Sequence, residues 1–233
     1  MLVALVLVLA LAGGCGRERV RGSPPQYQVQ SGDTLYSIAW RFNIPLDKLA
    51  GWNKIGPPYT IFAGQRLDLG PPGVPVAEAS RSPRAGAEVS ADAKTSTGAM
   101  VPVPEAIEPP VDWHWPTEGS VAKRFNEVDG SKAGIEIRGN PGQPVLAAAP
   151  GKVVYSGNSL KGYGELIIIK HNDAYLSAYA YNRIRIAQEG EQVAVGQPIA
   201  ELGGRSENQQ PVLHFEIRQY GRPVDPLLHL PAR

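Results

Sequence analysis

Four histidines and one cysteine are the residues of this 233-residue chain whose types suit metal or nucleophilic chemistry: His114, His171, His214, His229 and Cys15. A hydrolytic zinc site needs about three protein ligands, an open position for water, and an acid or base nearby. Two ligands on one strand must alternate to share a face, and no two of these histidines have that spacing. His114 lies at the edge of the region that holds the others, and His229 lies near its end. His171 closes an apolar run and reads as a structural hydrogen-bonding group. His214 sits in the alternating run Leu213-His214-Phe215-Glu216-Ile217-Arg218, on the same face as Val212 two residues earlier. The single cysteine permits no intrachain disulfide, so burial and hydrogen bonds must hold the fold. A formal net charge of +1 gives no pull toward nucleic acid or an anionic membrane surface.

Strands must position these groups. Leu166-Ile167-Ile168-Ile169 is a short β-branched apolar run, and Tyr175 to Tyr181 alternates large and small residues. The turn-forming pair Asn172-Asp173 lies between them, which predicts an antiparallel hairpin. Further strands are predicted at Pro144 to Ala149, Lys152 to Ser156, Gln192 to Leu202 with a break at Gly196, and Leu213 to Gln219. Spacing near ten residues with glycine at the breaks signals an all-β domain from about Trp113 to the C-terminus (residues 113–233). No segment after Pro116 has a helical period.

Ahead of it the chain changes character three times. Leu2 to Leu11 are ten uninterrupted apolar residues, too few to span a bilayer, and Ala12-Gly13-Gly14-Cys15 follows. A short apolar core ending in small residues predicts a secretory leader over residues 1–14, then a polar tether over 15–26. Tyr27-Gln28-Val29 reads as a brief strand, and Ser31-Gly32-Asp33-Thr34 as a turn in which Asp33 caps the next helix. Leu35, Ile38, Ala39 and Phe42 follow with the spacing of one helix face. A second short helix starts near Pro45 and turns Leu46, Leu49 and Ala50 inward. Gly64 to Leu69 closes this β-α-α-β unit, residues 27–70. Residues 71–112 are rich in Pro, Ala, Ser, Thr and Glu. They bury too little apolar surface to offset their ordering entropy, which predicts a disordered linker. Fully extended at ~3.1 Å per residue, it reaches ~130 Å.

Cys15 after its small residues resembles the bacterial lipobox, in which the thiol is diacylated and the leader is cut before it. Gly16 rather than Asp after the cysteine implies, by enteric-type sorting, an outer-membrane lipoprotein facing the periplasm. The unit carrying SGDTLYSIAWRFNI, Trp52-Asn53 and GQRLDL resembles the LysM domain. That likeness implies binding of N-acetylglucosamine-containing glycan, with Gly32, Asp33, Thr34 and Asn53 in or beside the turns that border the sugar. The C-terminal domain, with Ala147-Ala148-Ala149-Pro150-Gly151-Lys152, Leu213 to Arg218 and Pro223-Val224-Asp225-Pro226-Leu227, resembles the LytM or lysostaphin-like zinc endopeptidases. The implied fold is therefore mainly β: a small β-α-α-β domain plus an all-β lysostaphin-like domain (the duplicated hybrid motif).

In active relatives the ligands are the His and Asp of H-x-x-x-D and the last His of H-x-H. The first His of H-x-H and the His of Y-A-H are catalytic. Here the resemblance places Lys132 and Glu136 at the first motif, Val212 and His214 at the second, and Tyr181 at the third. Only Glu136 and His214 can still donate. An ammonium at Lys132, ~4 Å from a dication at an effective dielectric near 20, would cost on the order of 8 kcal/mol. His214 is expected to be a hydrogen-bonded remnant paired with Glu136, with no cofactor bound.

The order of lipobox, LysM, Pro/Ala linker and degenerate LytM domain resembles the murein hydrolase activators. The resemblance implies a non-catalytic protein. Its groove docks a periplasmic N-acetylmuramoyl-L-alanine amidase, so that septal peptidoglycan is split as daughter cells separate. Lys132, Glu136, Tyr163, Tyr181, His214 and Arg218 are the expected groove residues. Two other readings compete: a zinc endopeptidase with altered ligands, and a purely structural wall-binding lipoprotein. The membrane is reached through the lipid anchor only.

Overall fold

The computed structural model describes residues 25–72, 110–126, 133–204 and 210–233. The leader with Cys15, most of the tether and of the expected linker, and Lys132 lie outside the described residues. No helix among the described residues is long and apolar enough to cross a membrane.

The N-terminal unit is the expected β-α-α-β arrangement: β1 (Gln26–Gln28), α1 (Leu35–Phe42), α2 (Leu46–Asn53) and β2 (Arg66–Asp68), with β1 and β2 antiparallel. Helix α1 starts at a reciprocal cap, in which the Thr34 hydroxyl accepts from the Ser37 amide and Ser37 Oγ accepts from the Thr34 amide, each at 3.0 Å. This corrects the expectation that Asp33 is the cap. Asp33 instead accepts from the Tyr27 hydroxyl at 2.6 Å and the Gln30 amide at 2.9 Å, and pairs with Arg41 at 3.2 Å. Gly32 supplies the left-handed turn (φ 81°) that brings the carboxylate back onto β1. Leu35, Ile38 and Ala39 pack with Val29, Leu49, Ala50 and Leu67 into the small core of this unit.

Asn53, expected beside the glycan, has its amide committed inside the domain. It donates to the carbonyls of Leu49 and Asp68, both at 2.8 Å, and accepts from the Asp68 amide at 2.7 Å. It therefore ties the last turn of α2 to β2. Asn53→Ala takes a partner from each of these backbone groups and is expected to lower the stability of the unit by about 1–3 kcal/mol. Native-state hydrogen exchange at the Leu67 and Asp68 amides measures this, and unchanged protection would remove the staple from the account.

The C-terminal unit is mainly β. Its strands are β3 (Ser120–Lys123), β4 (Ile135–Arg138), β5 (Pro144–Leu146), β6 (Gly151–Gly157), β7 (Glu165–Lys170), β8 (Tyr175–Arg185), β9 (Gln192–Val193), β10 (Pro198–Leu202), β11 (Val212–Gln219) and β12 (Arg222–Val224). The main path runs β3-β4-β11-β8-β7-β6-β9; β10 bridges β5 and β8, and β12 pairs with β11. The predicted hairpin is β7 with β8, antiparallel, its turn held by Asn172 Oδ1 accepting from the amides of Ala174 and Tyr175. The strands at 120–123, 135–138 and 222–224 were not expected, and the helical content after Pro116 among the described residues is one 3-10 turn at Pro226–Leu228.

Alternation along β11 divides the domain into two apolar clusters. Leu213, Phe215 and Ile217 join Ile135, Ile137, Ile167, Ile169 and Tyr179 in the larger one. The opposite face, with Val212, lies over Val154, Leu160, Tyr163, Leu166, Ile168, Ala178, Ala180 and Tyr181. Gly134 lets the chain pass close to this strand, since a Cβ there would fall 2.4 Å from the Phe215 carbonyl oxygen and 2.7 Å from Glu216 Cγ.

Candidate functional site

The face of β11 that carries His214, Glu216 and Arg218 is the candidate site. Residues two apart on a strand point the same way, so these three side chains form a row. Glu216 is its centre. Its Oε1 lies 2.8 Å from His214 Nε2 and accepts from the Tyr163 hydroxyl at 3.0 Å, while its Oε2 faces Arg218 Nε and Nη2 at 3.4 Å. Burial, and then the Glu216 carboxylate, push the Tyr163 phenol far above its ordinary value, against the opposing pull of Arg218. A neutral phenol is thereby kept as a donor.

Register brings the expected positions together. His214 stands opposite Glu136 on β4 and Ala180 on β8. Tyr181 should share the side of Tyr179 by strict alternation, but its backbone is left-handed (φ 64°). That twist turns the ring back over His214, with ring centres 5.6 Å apart, and Tyr163 flanks the same imidazole at 6.0 Å. Gly203 is needed behind this kink, because a Cβ there would fall 2.8 Å from the Tyr181 carbonyl oxygen. Val212 ends the row. Thus Glu136, Tyr163, Tyr181, Val212, His214 and Arg218 are brought to one place, and Lys132 lies outside the described residues.

Two expectations are corrected. The hydrogen bond of His214 goes to Glu216, the next same-face position of the run, rather than to Glu136. A docking groove also implies side chains that a partner can reach. Instead Glu136, Tyr163, Tyr181, His214 and Arg218 are all more than nine-tenths buried, because the second apolar cluster closes over them.

Among the described residues the donor set does not fit zinc. Val212 offers no donor, and among the described residues no three His, Cys, Asp or Glu side chains gather as a metal site would require. His214 Nδ1, which has no hydrogen-bond partner among the described residues, and the Glu136 carboxylate across the strand are the donors that the described residues offer a cation here. The buried Glu216 is instead already matched by Arg218, His214 and Tyr163. His171 lies elsewhere, its Nδ1 2.8 Å from the Pro150 carbonyl and its Nε2 2.7 Å from Ser177 Oγ, as a structural group should be.

Residues 27–70 match the LysM domain model and residues 130–226 match that of Peptidase family M23. The Lipoprotein NlpD/LppB homolog of Pseudomonas aeruginosa is 44% identical over 237 aligned positions, covering 89% of this chain and 77% of its own. The Uncharacterized lipoprotein YgeR of Escherichia coli is 38% identical over 242, covering 100% and 93%. The Murein hydrolase activator NlpD of Escherichia coli is 37% identical over 258, covering 89% and 68%.

Proposed function

This chain belongs to the NlpD family of LysM–M23 lipoproteins, and from that premise we propose that it is a non-catalytic activator of a periplasmic N-acetylmuramoyl-L-alanine amidase. A peptidoglycan-related role follows from the family itself. The reading adds that lipid at Cys15 anchors the chain in the outer membrane and that the LysM unit holds glycan strands. It places the protein at the division septum, where cross-linked wall is split.

One observation carries it. Where a working peptidase of this fold needs a set of metal donors, β11 presents a buried glutamate paired with Arg218 and hydrogen-bonded to His214 and Tyr163, with valine at 212. Such a face recognises but does not hydrolyse. The groove lined by Glu136, Tyr163, Tyr181, His214 and Arg218, together with Lys132, is assigned to the amidase, which must open the cover that keeps the first five more than nine-tenths buried. Activation requires only that this surface bind the amidase's open state more tightly than its closed one.

The test is dye release from purified peptidoglycan. The chain alone should release none, and an N-acetylmuramoyl-L-alanine amidase that is nearly silent alone should be stimulated about tenfold or more, which corresponds to a preference of about 1.4 kcal/mol for the open state. Release by the chain alone that a chelator abolishes would make it a peptidase with altered ligands. No stimulation of any such amidase would leave a wall anchor.

A further inference from the structure

Helix α1 presents two faces to two different cores. Leu35, Ile38 and Ala39 serve the LysM unit, but Trp40 is 3% exposed and belongs to the cluster of the C-terminal domain that contains Tyr163, Tyr181 and Val212. The indole lies flat against the end of the β11 row, with the Arg218 guanidinium carbon 3.6 Å from its ring centre. Arg218 also donates to the Trp40 carbonyl oxygen at 3.2 Å. Two more hydrogen bonds cross at the same distance of 3.2 Å: the Thr34 hydroxyl to the Val154 carbonyl and Arg41 to the Ser159 carbonyl. At the far edge the turn at Gly221 meets Pro45 so closely that a Cβ there would fall 2.8 Å from Pro45 Cα.

We infer that the Arg218 end of the amidase-docking face is an interaction surface whose resident occupant is this chain's own helix α1, and that an incoming amidase must displace it. The inference rests on the activator reading above. A small glycan-binding unit gains nothing from an outward indole in the middle of a helix, and here that indole finds burial only on the other domain. Arg218 in turn is a flat cation with its own carboxylate behind it, a receptor for an aromatic ring. The Trp40 and Tyr36 rings, three hydrogen bonds and the Gly221–Pro45 approach make up the contact. It holds because both units belong to one chain, which keeps the local concentration of α1 high. A contact of that kind closes the chain most of the time and yields to a competitor. Thr34, which the sequence places at the glycan turn, is engaged on Val154 while the chain is closed.

Small-angle scattering of the full chain, with an amidase dose–response beside it, tests this. Wild type should scatter as one closed body. Trp40→Ala removes the ring. Gly221→Asn places a side chain against Pro45 and leaves the LysM unit untouched, since asparagine tolerates the left-handed backbone there (φ 78°). Both should expand the particle measurably as the LysM unit leaves the C-terminal domain. If wild type is about nine-tenths closed, both should reach half-maximal stimulation at about tenfold lower concentration. A wild-type chain that already scatters as extended overturns the inference, as do variants that open yet stimulate no better than wild type does. Closure and opening by scattering with no stimulation by any form would instead sink the activator reading and leave α1 as the resident of this face.

Discussion

Glu216→Ala is expected to lower the stability of the C-terminal domain by about 3–5 kcal/mol, the largest effect of any single substitution at the site. Glu216 is fully buried and Arg218 nearly so. Removing the carboxylate strands a guanidinium whose remaining contacts are the ring and carbonyl of Trp40, and takes the acceptor from Tyr163 and the partner from His214. Glu216→Gln keeps an acceptor for the phenol and loses only the charge, so its penalty should be smaller, about 1–3 kcal/mol. Urea unfolding of the two variants beside wild type measures both. A Glu216→Ala penalty under about 1 kcal/mol would mean that water reaches Arg218 and that the row is not dry.

The second large effect is an acid limb in stability. The His171 ring is enclosed by Trp113, whose ring centre is 4.8 Å away, and by its two hydrogen bonds. Burial holds its pKa down to about 4 from an ordinary 6.5, the Pro150 carbonyl opposing. Between those values the unfolded chain takes up a proton that the folded chain refuses. The stability tied to His171 is thus fully present above pH 6.5 and is lost as pH falls toward 4. Its ceiling is about 3 kcal/mol, trimmed because the residue keeps some exposed surface. His171→Gln should flatten this limb relative to wild type in pH-dependent urea unfolding. Parallel curves for the two proteins from pH 7 to pH 4 would show that the ring is protonated in the fold.

The hairpin of β7 and β8 was legible because both its signals are local: a β-branched run, and a turn whose asparagine caps its own backbone. The LysM core was legible for the same reason, through the spacing of Leu35, Ile38 and Ala39. Strands β3 and β4 were not, since four residues carry too little alternation to stand out without the neighbours that pair with them. Helical spacing says which residues share a face, but not that a second domain claims Trp40. Strand alternation sends Tyr181 to the wrong side, because a left-handed residue breaks the period and nothing in Tyr179-Ala180-Tyr181 announces it. Glu216 was within reach of the same alternation that placed His214. Asp33 and Thr34 compete for one cap, and the pull of Tyr27 and Arg41 on the aspartate decided between them.

The three hydrogen bonds that join α1 to the C-terminal domain all end on main-chain carbonyls: Val154, Ser159 and Trp40. Mutation cannot remove a carbonyl. The heritable specification of these polar bonds and of the stacked ring therefore resides in four side chains, Thr34, Trp40, Arg41 and Arg218, while the acceptors are given by the course of the backbone. Drift among descendants can loosen the contact gradually by swapping donors, serine for threonine or lysine for arginine, and can restore it by a single codon change. The strength of self-occlusion is then a quantity that selection can tune without rebuilding either domain.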